Sequence, residues 1–403
     1  MRPVSAILLV FIALVLGLVA GCESRFPIDP LLQIASNQRT TTPVGDTSYV
    51  EVYPPWGGFE SPRAVIVGND QLIYVADYGS NEIVMLDAGG TVLKREQIMH
   101  PISIAQNTKL DLYVGGETIA PNGTDTIGAI TRIFLVRFDT TYVSRIDTAI
   151  GPLGDTIITP IRRDTSYFYD HDLPNAHRRI IWQEAGRPQR RYPGISFLPG
   201  NAYLVARTGN DNTSFVDPDT RLLRFNKGDT LITPVGDLIT RPSGGTAITD
   251  IRYLTGLMVF PSSSDFVLTQ STNGIVYGAV WMTYFNNIDF QGWLPKYDPA
   301  NGVQRGTDFI RPYQFLNANA IAYDRRRREI FIVDSKLDSV FKFNARGQFR
   351  TESFGRALTA SGQFRALNSP MGIAFSSDCT LYIADTGNKV IRRFKLSIQT
   401  SCN

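Results

Sequence analysis

The chain has 403 residues, of which 43% are hydrophobic and 19% charged; that is apolar enough for a sizeable core and argues against a disordered chain. Its 40 Lys and Arg stand against 37 Asp and Glu, a formal charge of +3, and so even a balance argues against nucleic acid as a partner. The 34 Gly, 23 Pro, 23 Phe and 17 Tyr fit a turn-rich, aromatic β protein, and the three cysteines exclude a zinc site of Cys₄ type.

At the N-terminus, Arg2 is followed by an uncharged apolar run from Ala6 to Leu18, and small residues Val19-Ala20-Gly21 then precede Cys22. A run this short, ending in Gly and Ala, is a secretory signal and not a spanning helix. The Val-Ala-Gly-Cys sequence resembles the lipobox of bacterial lipoproteins. That resemblance implies a signal peptide over 1–21, cleavage before Cys22, diacylglycerol on its thiol and acylation of the new amine. Each buried methylene contributes ~0.8 kcal/mol, so several chains together anchor the protein to a membrane. Glu23, where an Asp would favour the inner membrane, points to the outer membrane of a cell envelope; which side carries the protein stays open. Residues 22–47 are polar, carry Thr, Ser and Pro without a period, and read as a tether.

Repeats fill residues 48–403. Residues 61–87 (SPRAVIVGNDQLIYVADYGSNEIVMLD), 317–343 and 369–394 align: a short apolar strand, a polar turn, a strand ending in Asp, a tight turn and an alternating strand. The Asps are Asp77, Asp334 and Asp385. Weaker copies cover 100–116, with a third strand delayed to Arg132–Phe138, and 192–210, followed by Arg221–Phe225. In another copy Leu257–Phe260, Asp265–Gln270 and Gly274–Val280 read as strands. The starts fall near 62, 101, 193, 255, 318 and 370. One such meander cannot bury both faces, and radial stacking solves this. The Pro-x-Gly-Ile-Ala…Leu-Tyr-Ile-Ala-Asp-x-Gly-Asn run at 370–388 resembles the NHL repeat. The resemblance implies an all-β fold, a six-bladed β-propeller, with seven blades if 148–191 hides one. Ser48–Tyr53 alternates but belongs to no repeat, and as the outer strand of the last blade it would close the ring and cover an open edge.

Two segments break the period, 148–191 and 281–316, and loops on a rigid scaffold are where function concentrates. The second carries Trp281, Tyr284, Phe285, Trp293 and Tyr297, candidates for a protein partner or for stacking on a glycan, with a satellite core as the alternative. The Asps that end second strands suit backbone N–H acceptance in tight turns better than catalysis, since the aligned positions elsewhere are Gly116, Arg207 and Gln270. NHL-like propellers include an amidating lyase with channel zinc, and lactonase-like propellers hold calcium. Here only His100 lies at a repeat start, His171 and His177 lie in an insertion, and Glu60 and Glu117 complete no ligand set, so neither metal nor cofactor is expected. Asp211, Asp217 and Asp219 lack the EF-hand Gly and Glu and read as a surface turn. Arg325–Arg328 reads as a hairpin tip, with acidic headgroups or glycans as the alternative contact. Export permits a disulfide between Cys379 and Cys402. The function expected is that of a membrane-anchored binding or scaffold subunit for a protein partner; a lyase or lactonase-like channel enzyme and a glycan-binding subunit are the alternatives.

Overall fold

The computed structural model describes residues 49–139, 146–150, 156–160, 165–168, 177–236, 238–299, 308–350 and 366–396. The chain forms two units. One, residues 1–46 and 357–365, lies wholly outside the described residues; the other, 47–356 and 366–403, holds every described element. The signal peptide, the 22–47 tether, Cys22, His171 and Cys402 are therefore outside the described residues.

Successive antiparallel sheets make six blades. Blade 1 is Pro62–Val67, Ile73–Asp77, Glu82–Leu86 and Val92–Gln97; blade 2 is Met99–Gln106, Leu112–Ile119, Thr126–Ile133 and Arg178–Gln183. Blade 3 is Arg191–Phe197, Tyr203–Thr208, Arg221–Phe225 and Leu231–Pro234; blade 4 is Leu254–Val259, Phe266–Gln270, Ala279–Asn286 and Gln291–Pro295. Blade 5 is Ala318–Asp324, Glu329–Asp334 and Ser339–Phe343; blade 6 is Pro370–Phe375, Leu381–Asp385 and Val390–Leu396. The first strands pack side by side in ring order, and blade 6 meets blade 1. The protein is a six-bladed β-propeller.

The first strands all run the same way, because the turns after them bond to one another around one face. Asn69 N donates to Gln106 Oε1 at 2.6 Å, Thr108 N to Asn201 Oδ1 at 3.2 Å and Ser377 Oγ to Gln71 Oε1 at 2.5 Å. This is the lower face; the upper face is where the first strands begin. Neighbouring first strands approach closely through small residues: a Cβ on Gly256 would lie 2.1 Å from the Asn319 carbonyl oxygen.

The ring closes as the alternation of Ser48–Tyr53 predicts. Tyr49–Glu51 pairs antiparallel with the last strand, Tyr49 opposite Leu396 and Glu51 opposite Phe394. Arg392, nearly buried, donates to both Glu51 oxygens at 2.7 Å, and Ile391 N donates to Trp56 O at 2.8 Å.

Second strands lie between blades on both faces, so they need near-continuous apolar runs. Ile73–Asp77, Phe266–Gln270, Glu329–Asp334 and Leu381–Asp385 have every residue buried. Their terminal Asps are structural. Glu60 N and Ser61 N donate to Asp77 at 2.9 and 2.6 Å; Leu316, Asn317, Lys336 and Leu337 N–H groups donate to Asp334; Asn368 N donates to Asp385 at 2.8 Å. Each carboxylate satisfies the backbone of the loop that enters its blade. In blade 4 Gln270 takes this place, its Oε1 accepting from Arg252 N at 2.9 Å.

Three boundaries differ from expectation. The third strand of blade 2 is Thr126–Ile133, because the second strand extends to Ile119 and pairs along its whole length. Most of 148–191 is an excursion between third and outer strands, but its end, Arg178–Gln183, is the outer strand of blade 2. In blade 4 the third strand is Ala279–Asn286, since residues 271–278 form a loop tied to Gly245.

Candidate functional site

The first strands enclose a central cavity of about 400 Å³. Near its upper end the same backbone irregularity recurs. The pairing of first and second strands shifts register between Pro62 and Ala64, Leu254 and Gly256, Ala318 and Ala320, and Pro370 and Gly372. A bulge leaves one residue out of the ladder and re-aims its side chain. The residues so released, Arg63, Thr255, Asn319 and Met371, all line the cavity, with Ile102 and Pro193 from blades 2 and 3. Arg63 is the charged member of this ring. Below it the wall carries Ile104, Leu257 and Ala320, and also the polar Ser103, Gln106, Asn201 and Arg325.

Arg63 belongs to a cluster built from three blades. Its guanidinium lies 3.5 Å from the Tyr78 ring centroid, and Tyr78 stacks on His100 with centroids 4.6 Å apart and planes 18° from parallel. His100 Nδ1 is 2.6 Å from Glu117 Oε2, and Glu117 Oε1 is 2.6 Å from Arg191 Nη2. The His100 side chain is 38% exposed and that of Glu117 only 10%. The His100 backbone is fixed at φ 43, its N–H donating to Asn81 Oδ1 at 2.8 Å; a non-Gly residue in this region is held there by its surroundings.

The charges do not cancel evenly. Glu117 is matched by Arg191 and His100. Arg63 Nε is buried without a hydrogen-bond partner, and among the described residues no carboxylate pairs with this guanidinium. Burial pushes the Arg63 pKa down, opposed by Tyr78 and Glu117, yet a guanidinium stays charged. The mouth therefore holds one uncompensated cation, its plane stacked on Tyr78.

A second polar network lies beside it in blade 3. Arg190, 2% exposed, donates to Asp217 at 2.7 Å and Asp219 at 2.9 Å and pairs with Glu184; Arg207 donates to Glu184 at 2.8 Å and Asp217 at 2.7 Å. These pairs take Asp217 and Asp219, and Arg187 at 3.2 Å takes Asp211, so the 211–219 turn is structural. Among the described residues no three His, Cys, Asp or Glu side chains converge as a metal set.

The aromatic run of 281–316 is mostly core. Trp281, Trp293 and Tyr297 are 5%, 6% and 1% exposed, and Tyr284 is packed against the same cluster. They belong to blade 4's outer strands and the segment after it, so of the two readings it is the satellite core that forms from Trp281, Tyr284, Trp293 and Tyr297; Phe285 alone of the five is exposed, at 41%. His177 bonds Glu96 at 2.7 Å, tying the excursion to blade 1. Glu60 ends a loop at Asp77, away from any ligand set. Cys379 is buried, at φ 62, in the lower-face turn of blade 6. Sequence reasoning singled out His100 and Glu117 separately and missed Arg63, Tyr78 and Arg191. Aligning the repeats through their opening Pro would have set Arg63 against Ile102 and Met371 and exposed the odd charge.

At the sequence level the chain matches no family model and no curated protein. Solved structures share its architecture. A gluconolactonase from Xanthomonas campestris superposes with a TM-score of 0.50 at 12% identity, over 89% of this chain and 94% of that one. A PQQ-bound aldose sugar dehydrogenase from Streptomyces coelicolor gives 0.50 at 13%, over 88% and 100%. A Bacteroides thetaiotaomicron protein of unknown function gives 0.51 at 12%, over 89% and 74%. At such identities the likeness is one of fold, and it places the chain among β-propellers. Among the described residues no helix is long and apolar enough to cross a membrane.

Proposed function

We propose that this protein is an NHL-like propeller of the cell envelope, lipid-anchored through Cys22, which binds a small carboxylate or phosphate ligand at the upper mouth of its cavity. The observation that supports this reading is Arg63, a partly buried guanidinium with no carboxylate of its own, facing the central cavity. Burying a cation without a partner is costly, and a ligand anion would relieve that cost with charge-assisted hydrogen bonds. Arg191 and His100 flank the same mouth. Calorimetric titration with sugar acids, dicarboxylates and inorganic phosphate tests it. Arg63→Gln should weaken the best ligand roughly tenfold or more, the worth of a hydrogen bond to a charged group. Equal affinity in both proteins, or no anion bound by either, would remove the proposal.

The His100–Glu117 pair favours a second reading. An imidazole oriented by a carboxylate at a cavity mouth is a general base arrangement, and Arg63 would face developing negative charge. Lactone turnover by the wild-type protein, abolished in His100→Asn, would shift the reading from binding to acid–base chemistry.

A further inference from the structure

The lower face of blades 4 to 6 carries exposed basic and apolar turns. In blade 5 the turn after the first strand is Arg325-Arg326-Arg327-Arg328, all four exposed. The turn is fixed: Arg326 N and Arg327 N donate to Asp324 Oδ1 at 2.9 and 3.2 Å, and Arg328 sits at φ 56. No ion pair engages these guanidiniums among the described residues. Arg346, in the other lower-face turn of the blade, is exposed too.

In blade 4 the lower-face turn 287–290 presents Ile288 at 103% exposure, beside the exposed Phe285. In blade 6 Tyr49 lies opposite Leu396, the lower end of the last strand. Tyr49, the first described residue, thus lies on this face. Opposing acids nearby are few: Asp378 is engaged by Lys395 at 3.4 Å and Asp308 by Arg311 at 3.0 Å, while Asp289 is exposed.

Unpaired arginines on the same face as an exposed aliphatic tip form the composition of a bilayer contact. The geometry points to the lower face of blades 4 to 6 as the side that rests on an anionic lipid surface, Arg325–Arg328 meeting phosphates and Ile288 entering the headgroup layer. The upper mouth with Arg63 then faces away from the membrane and is open to ligand. This rests on the anchored reading only for the identity of the membrane; the surface itself is read from exposed residues.

Vesicle sedimentation tests it with the chain from residue 22 onward carrying Cys22→Ser, which has neither acyl chains nor the apolar run of 6–18. Vesicles of phosphatidylcholine alone are compared with vesicles that also contain phosphatidylglycerol. Binding to the anionic vesicles only, falling as salt is raised, is expected. The variant R325Q/R326Q/R327Q/R328Q, checked for unchanged melting, should partition roughly tenfold less or lower, and Ile288→Ser should weaken the remainder. Equal binding to both vesicle types, no binding to either, or full binding by the quadruple variant would overturn the assignment. Failure of the anchor is seen separately, as the lack of acyl mass on Cys22 in the native protein, and leaves the vesicle result standing.

Discussion

Asp77, Asp334 and Asp385 show what a single residue reveals through its sequence neighbours alone. An Asp at the end of an apolar run and before a tight polar turn, with Gly and Asn after Asp77 and Asp385 and Ser-Lys-Leu after Asp334, has few roles other than backbone acceptor, and all three are fully buried in that role. Arg63 shows the opposite. Nothing in its local sequence marks it, because its meaning comes from the absence of a partner, and partners are set by which strands the ring brings together. Asp217 permits a test at this scale. Its burial alone would raise its pKa, but the bonds from Arg190 and Arg207 outweigh that and hold it below the ordinary carboxylate range. A lowered native pKa means the unfolded chain binds the proton more readily, so this contribution is full above the unfolded value of ~3.9 and is lost as pH falls through the native value. Urea melts of wild type and Asp217→Asn should therefore differ at neutral pH and converge as pH drops below ~4. A gap that persists undiminished in acid would show that the pair contributes through packing and not through charge.

Strands with period-two alternation or a continuous apolar run were legible where turns are short, in blades 1, 5 and 6. Blade 4 was misaligned because Ser271 to Gly278 reads as a continuing meander, while its backbone bonds go to Gly245 and to the Gln270 N–H. Of the aromatics that follow, Trp281 and Trp293 fall on the buried side of Ala279–Asn286 and Gln291–Pro295, which favours the satellite-core reading over an exposed platform. The register shift common to all six first strands was not legible, since a bulge leaves no reliable mark in side-chain identity, yet it aims the cavity ring. The closing strand was legible, and it can be weighed. Glu51 in Tyr49–Glu51 accepts two bonds from Arg392, a side chain only 6% exposed, which also meets Asp385 at 3.3 Å. Breaking a buried pair costs ~3–5 kcal/mol when it strands a charge. Because Asp385 still faces Arg392, Glu51→Ala should cost about 2 kcal/mol, at the low end of the cost of unsatisfied buried charge. Denaturant titration measures it. A loss below ~0.5 kcal/mol, typical of a neutral surface change, would mean that the strand's ladder and apolar contacts close the ring without the ion pair.

At the scale of the whole molecule, a propeller is a ring whose ends must be fastened, because an unpaired last blade would leave an open strand edge. Tyr49–Glu51 fastens the N-terminal side. We expect a second fastening from the C-terminal side, a disulfide between Cys379 and Cys402. Cys379 sits in the lower-face turn of blade 6, 4% exposed, its N–H donating to Ser376 O at 3.1 Å. The third strand of that blade ends at Leu396 on the same face. Cys402 lies outside the described residues, but the few residues between it and Leu396 span at most ~20 Å, which leaves the Cys379 turn within reach. A disulfide needs Cα atoms within ~7 Å, and a bridge closing a loop of this size contributes ~3 kcal/mol by the chain-entropy model. It would keep the terminal residues from fraying and hold the lower-face turns in place beneath the proposed lipid contact. Thiol titration under denaturing, non-reducing conditions should find neither Cys379 nor Cys402 reactive. Reductant should lower the melting temperature of the wild-type protein and leave that of Cys402→Ala unchanged. Two reactive thiols in protein taken from its native compartment, or equal sensitivity of both proteins to reductant, would show that the paired strand alone closes the ring.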